Sequence, residues 1–220
     1  VTKPRALVSW SGGKDSCLAL QRSRRQFELA GLITMFTPDG ERSRSHGLHP
    51  ETLELQASAL GLPLLTGCAS WEDYEERFRR LLVEARRLDV THVVFGDIFL
   101  DPHKEWVERV CGAEGLSAVE PLWGESTEKL AAEFLSTGGR ATIVTVCKDM
   151  LDSSWLGREL SPEVIRELVA KGVDACGERG EYHTVVTASP AFAFDLRLQG
   201  QTQVELENHW LLDVQAERRP

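Results

Sequence analysis

The sequence is short of paired cysteines, of basic charge and of long apolar runs, and each shortage argues against a class of protein. Its five cysteines, Cys17, Cys68, Cys111, Cys147 and Cys176, are scattered and never stand as C-x-x-C. That spacing argues against a disulfide framework or a structural zinc site and fits a reducing compartment. Lysine and arginine number 25 against 34 aspartates and glutamates, for a formal net charge of −9. General nucleic-acid binding needs a basic surface to neutralise phosphates, so it is not expected. No apolar run approaches the roughly 18 residues of a membrane span, and no basic stretch followed by an apolar one opens the chain. The expectation is a soluble cytoplasmic protein with no membrane segment.

What is present is alternation. Short apolar runs at 5–10, 32–37, 63–66, 92–95 and 118–121 read as strands, and amphipathic stretches at 16–29, 50–60, 71–88, 102–113 and 127–135 read as helices. In the third of these stretches Tyr74, Phe78, Leu81, Leu82, Ala85 and Leu88 fall on one helical face. Strands alternating with helices of this length imply an α/β fold: a doubly wound, mostly parallel sheet, with ligands beyond its carboxyl edge. A further strand at 141–146 is expected to close that sheet. Beyond it a helix begins near Pro162, and "YHTVVTAS", "AFAFDLRLQG" and "TQVELENHWLLDVQA" alternate with period two like antiparallel strands. The expected division is residues 1–148 as the larger α/β domain and 149–220 as a smaller carboxy-terminal α+β domain.

Directly after the first strand stands Ser11-Gly12-Gly13-Lys14-Asp15-Ser16. It is neither G-x-x-x-x-G-K-[ST] nor G-x-G-x-x-G. The glycines let main-chain N–H groups approach an anion without a Cβ in the way, and a helix starting near Ser16 adds unpaired N–H groups. Ser11 and Ser16 offer hydroxyls and Lys14 a charge. Asp15 would repel bare phosphate, so it caps the helix or holds a magnesium ion.

The six-residue loop is similar to that of the ATP pyrophosphatases. With "LELQASALGLPLL", "FGDIFLD", "VEPLWGEST", "LGREL" and "CGERGEYHT" following in order, the chain resembles the diphthine–ammonia ligase family. The resemblance implies an adenine nucleotide α-hydrolase-like fold, ATP and Mg²⁺ as cofactors, and ammonia as nucleophile. It also implies a diphthine-bearing elongation factor as acceptor. "HG" at His46–Gly47 and "GDIFLD" depart toward a branch whose acceptor is open, so a small carboxylate is an alternative partner. In this reading Ser9, Ser11, Gly12, Gly13, Lys14, Asp15, Ser16, Met35, Gly96 and Asp97 bind the nucleotide. Lys14, Asp15, Glu178, Glu181 and His183 carry catalysis. Trp123, Arg158 and Tyr182 meet the acceptor, Tyr182 through cation–π attraction.

Adenylation turns a carboxylate oxygen into a leaving group, and the loop stabilises charge on departing pyrophosphate. The segment after residue 148 is too short for a glutaminase domain, and paired cysteines for sulfur transfer are missing. Free ammonia or a small amine is left as nucleophile. Packing roles for Phe36 and Trp123, a surface ion pair of Arg158 with Glu159 or Glu163, and a nucleotide sensor without chemistry stay open. So does a ligase of the same superfamily acting on an unrelated carboxylate or amine. His46 and His49 are read as loop histidines near the pocket mouth, not metal ligands. A homodimer through the carboxy-terminal strands is a further expectation.

Overall fold

The computed structural model describes residues 2–220. Strand β1 (Arg5–Ser9) has Ala6, Leu7 and Val8 fully buried. It leads into helix α1 (Lys14–Ser23), and β2 (Glu28–Phe36) returns parallel to it. There follow α2 (Pro50–Leu60), β3 (Leu64–Cys68), α3 (Tyr74–Arg86), β4 (Val90–Val94), α4 (Asp101–Ala113) and β5 (Ser117–Val119). The five strands form one parallel sheet in the order β3-β2-β1-β4-β5. The order reverses between β1 and β4, so the loops leaving those strands diverge and open a crevice at the carboxyl edge.

Helix α1 stops at Ser23, ahead of the expected residue 29. The Phe27 N–H closes the last turn on the Ser23 carbonyl, and Glu28 is already paired with Arg5 in the sheet. Pro50 at the start of α2 and a left-handed Gly61 (φ 66°) at its end mark that helix as expected from their backbone preferences.

After α5 (Thr127–Ser136), capped by the Ser126 hydroxyl on the Lys129 N–H, the architecture changes. Strand β6 (Arg140–Cys147) does not close the parallel sheet. It pairs antiparallel with β7 (Tyr182–Ala188) on one side and β9 (His209–Arg218) on the other, and β8 (Leu196–Glu205) completes the order β7-β6-β9-β8. Residues 141–146 are buried on both faces, and such a run suits the interior of either sheet, so periodicity alone could not choose its partners. The expected division at 148/149 therefore cuts the antiparallel sheet; we place it ahead of α5, which leaves each sheet whole. In the chain, α6 (Pro162–Ala170), capped by Ser161, connects β6 to β7. The β8–β9 turn falls at 206–208, where the Leu206 N–H meets the His209 carbonyl. Gly200, expected to end a strand, instead sits in an irregularity between Gln199 and Thr202.

Val8, Leu18, Phe134, Ile143, Val146 and Val186 belong to one continuous apolar core shared by both sheets. A second core fills the other face of the parallel sheet with Leu7, Ile33, Phe78, Leu82 and Val93. Among the described residues no helix is long and apolar enough to cross a membrane.

Candidate active site

The loop between β1 and α1 is held by the second sheet. The Gly12 carbonyl accepts from the Val186 N–H (2.9 Å) and from Gln56 Nε2 (3.0 Å), and the same amide donates to the Val186 carbonyl (2.8 Å). Trp10 Nε1 donates to Gln56 Oε1 (2.9 Å), which fixes that amide's orientation. The Lys14 N–H goes to Thr184 Oγ1 (3.2 Å) and the Gly13 N–H to Ser11 Oγ (3.3 Å). Ser11 Oγ in turn donates to Ser16 Oγ (3.1 Å). Among the described residues the N–H groups of Ser11, Gly12, Asp15 and Ser16 have no protein acceptor. Four free donors at a strand–loop–helix junction, with the positive end of α1 behind them, are what an anion needs.

Both glycines of the loop are demanded from the protein side. Gly12 has φ +82°, and a Cβ there would lie 2.7–2.8 Å from Leu53, Gln56 and Leu48. At Gly13 a Cβ would lie 2.3 Å from His46 Cε1. His46 is thus not a residue of the pocket mouth. It is buried under the loop, donates from Nδ1 to the Thr184 carbonyl (2.7 Å) and stacks on His183 with ring centroids 4.6 Å apart. Burial lowers its pKa to about 4, with the Lys14 charge adding to the effect. His183, expected to act in catalysis, is also held neutral: burial, then His46 and Lys14, push its pKa well below the ordinary value. The pair packs as two neutral rings beneath the loop. Gly13→Ala should therefore destabilise the fold by about 1–3 kcal/mol through overpacking. Combining it with His46→Ala should cost less than the sum of the two single changes, as read by chemical denaturation.

Lys14 is 2% exposed. Its ammonium donates to the Cys176 carbonyl and to Asp15 Oδ2 (2.9 Å), and lies 4.9 Å from the centre of the Tyr182 ring. Burial opposes its charge, but Asp15, Tyr182 and Cys176 outweigh that and hold its pKa above the ordinary lysine value. Tyr182 was expected to face a cationic acceptor. It is buried with its hydroxyl on the Ala175 carbonyl (2.6 Å), and the cation on its face is the chain's own Lys14.

The two glutamates of "CGERGEYHT" part company. Glu181 is buried and spends its oxygens on the N–H groups of Asp174 (3.2 Å) and Arg179 (2.9 Å), so it staples its own loop and is not free for chemistry. Glu178 reaches across to the loop after β4, where Oε1 accepts from the Ile98 N–H (2.8 Å). Burial raises its pKa to about 7, with the charges of Asp15 and Asp97 adding to the rise. Asp97 accepts from His103 Nδ1 at 3.1 Å, and that contact raises the His103 pKa. Gly96 lets the β4 loop close on this spot, since a Cβ there would be 3.0 Å from the Asp15–Ser16 peptide. Asp15, Asp97 and Glu178 thus gather negative charge beside the free N–H groups. Among the described residues no group of three or more acidic, histidine or cysteine side chains is arranged to hold a metal by itself.

On the other side of the loop a cavity of about 50 Å³ is lined by Ser9, Ser11, Met35, Arg44 and Tyr74. It places Ser9 and Met35 beside the loop, at the carboxyl ends of β1 and β2. Phe36 is core. Trp123 is half-buried and carries Lys104 Nζ 4.5 Å from its ring centre. Arg158 is not brought into the site: it pairs with Glu167 (2.8 Å), not with Glu159 or Glu163, and lies over Trp155. His49 is tied to Asp213 on β9 (2.7 Å).

Sequence reasoning missed His103, Arg44 and Glu120. The Glu120 side chain is 5% exposed with one oxygen unpartnered and the other 3.9 Å from Lys104. A glutamate just past an apolar strand run was the available signal.

Residues 4–118 match the family model described as Diphthamide synthase N-terminal domain, and residues 126–217 match Diphthamide synthase C-terminal domain. Curated relatives named diphthine–ammonia ligase include one from Rattus norvegicus, 27% identical over 209 residues, spanning 83% of this chain and 78% of that protein. The Homo sapiens protein of that name is 26% identical over 211 residues, with the same shares. One from Schizosaccharomyces pombe is 26% identical over 220 residues, covering 89% of this chain and 36% of its own length. A solved structure described as a predicted subunit of tRNA methyltransferase from Methanocaldococcus jannaschii superposes with a TM-score of 0.43 at 15% identity, over 84% of this chain and 98% of that one. With both domain models accounted for along nearly the whole sequence, the chain belongs to the diphthamide synthase family.

Proposed function

We propose that the chain is an ATP-dependent ligase that forms a C–N bond by adenylating a carboxylate, releasing pyrophosphate and joining ammonia to the activated acyl group. One observation carries this reading: four unpaired main-chain N–H groups at Ser11–Ser16 stand beside the carboxylates of Asp15, Asp97 and Glu178. The first set suits a phosphate chain. The second suits a cation, either the ammonium that supplies the nucleophile or a metal ion on the phosphates.

ATP would lie with its phosphates on the loop and its adenosine toward the cavity by Met35 and Tyr74. The free N–H groups are fixed before reaction by the ties of Gly12 and Lys14 to β7, so they offset charge on leaving pyrophosphate without reorganising. Magnesium fits here because it takes only one or two carboxylates and completes its shell with phosphate and water. Asp15, partly exposed next to the loop, would hold it, and the ion would neutralise phosphate charge.

The acceptor in this proposal is a diphthine carboxylate, as the relatives' name suggests, carried on an elongation factor, as the resemblance of the motifs implies. The test is an assay with ATP, ammonium and the diphthine-bearing factor, resolving AMP, ADP and pyrophosphate. Equal amounts of AMP and pyrophosphate that depend on both ammonium and the factor are expected. Formation of ADP and phosphate, or turnover that ignores the acceptor, would sink the proposal.

A further inference from the structure

Arg44 stands on the segment that folds back after β2, where Ser43 bridges Phe36 and the Arg44 N–H donates to the Met35 carbonyl (3.0 Å). Its guanidinium carbon lies over the ring of Trp71, 3.7 Å from the centroid. Two of its nitrogens, Nε and Nη2, are buried without a hydrogen-bond partner. Among the described residues no carboxylate lies within ion-pair distance of it, although the chain carries an excess of nine acidic charges. Most arginines paired in this protein meet a glutamate or aspartate directly, as Arg22, Arg109 and Arg158 do. Arg44 as a whole is half-buried, but leaving two buried donors unused is costly unless something arrives to accept them.

The same cavity that Arg44 lines also includes Ser9 at the end of β1 and Ser11 of the phosphate loop. Nε and Nη2 form one edge of the planar fork, the edge that takes two oxygens of a single oxyanion. Stacking on Trp71 holds that plane, so little side-chain freedom is lost on binding. Resting on the ligase reading above, we infer that Arg44 is a second phosphate clamp, gripping the nucleotide's phosphate oxygens from the cavity side while the Ser11–Ser16 amides hold them from the other. Such a clamp keeps hold of the adenylate's phosphate as pyrophosphate departs.

The test is calorimetric titration of ATP, AMP and adenosine into wild type, Arg44→Met and Arg44→Lys, with thermal melts of each protein. The expected result is a loss of ATP and AMP affinity of about ten- to a hundredfold in Arg44→Met, unchanged adenosine affinity, and partial recovery in Arg44→Lys, which keeps charge but not the fork. A melting temperature no lower than wild type accompanies it, since the unused donors are removed. Equal losses for adenosine and ATP would make Arg44 a wall of the base pocket and overturn the clamp. No loss for any ligand would overturn it too, while leaving the ligase reading intact. Failure of the wild-type chain to bind any adenine nucleotide would overturn both.

Discussion

Lys14→Met should cut ATP turnover by about a hundred- to a thousandfold, the usual loss when one prearranged charge donor to an oxyanion is removed. The lysine stands at the first position of α1, among the free N–H groups, and its neighbours keep it charged across the working pH range. It is not a loose surface lysine waiting for phosphate. Its ammonium already binds the Cys176 carbonyl and Asp15 and rests on Tyr182, so it joins the phosphate loop to the segment that carries Glu178. The substitution should therefore also lower stability, by about 1–3 kcal/mol, because a buried carbonyl loses its donor. Two measurements separate the roles: AMP formation under saturating ATP, and chemical denaturation without nucleotide. Destabilisation with unimpaired turnover would reduce Lys14 to a structural tie and remove it from the chemistry.

Glu178→Gln should lower amide formation by about a hundred- to ten-thousandfold while changing ATP affinity little. Ammonia reaches a protein at neutral pH mostly as ammonium, which has no lone pair to attack with. A carboxylate whose pKa is about 7 is ionised often enough to take that proton, and basic enough to do so efficiently. Asp15 and Asp97 lie close enough to raise that pKa and would hold the cation meanwhile. The wild-type rate should climb as pH rises through 7, and the variant should lose that inflection.

The same residue makes an opposite prediction for stability. Its pKa rises from 4.5 to about 7 on folding, so the native state holds the proton more tightly than the unfolded chain does. Its contribution to stability is therefore greatest at low pH and declines as pH rises between those values. Above pH 7 the folded protein carries a half-buried charge with Asp15, Asp97 and the Glu178-facing His103 around it. Glu178→Gln removes that charge and keeps an acceptor for the Ile98 N–H. Nucleotide-free variant should melt about 2–4 °C above wild type at pH 8, with the advantage gone below pH 4.5. A variant that is less stable at pH 8, or equally active, would show that Glu178 serves the fold instead.

The strands and helices of the parallel sheet were legible because each rests on a short-range pattern. Apolar triplets such as Ala6–Val8 can only be buried, and the 3.6-residue stripe of α3 can only be a helix face. The phosphate loop was legible for the same reason, since adjacent glycines, a lysine and two serines between strand and helix leave few other uses. The partner of β6 was not, because a strand apolar on both faces carries no label for its neighbours. Nor could residue types tell Glu178 from Glu181. They stand three apart in one glycine-rich segment, and only the turn decides that one reaches Ile98 while the other folds onto the N–H groups of Asp174 and Arg179.

By itself the sequence determined the α/β alternation, the anion-binding loop at its first turn, and the family that its ordered motifs resemble. Only the tertiary structure decided that Lys14 bonds the Cys176 carbonyl 162 residues away, that His46 and His183 stack as neutral rings under the loop, and that Arg44, beside the cavity, is left with two unused donors. The physical reason is range. Backbone preference and periodicity act over a few residues, whereas burial, hydrogen-bond partnership and pKa are set by whichever distant segments the packed sheets bring together.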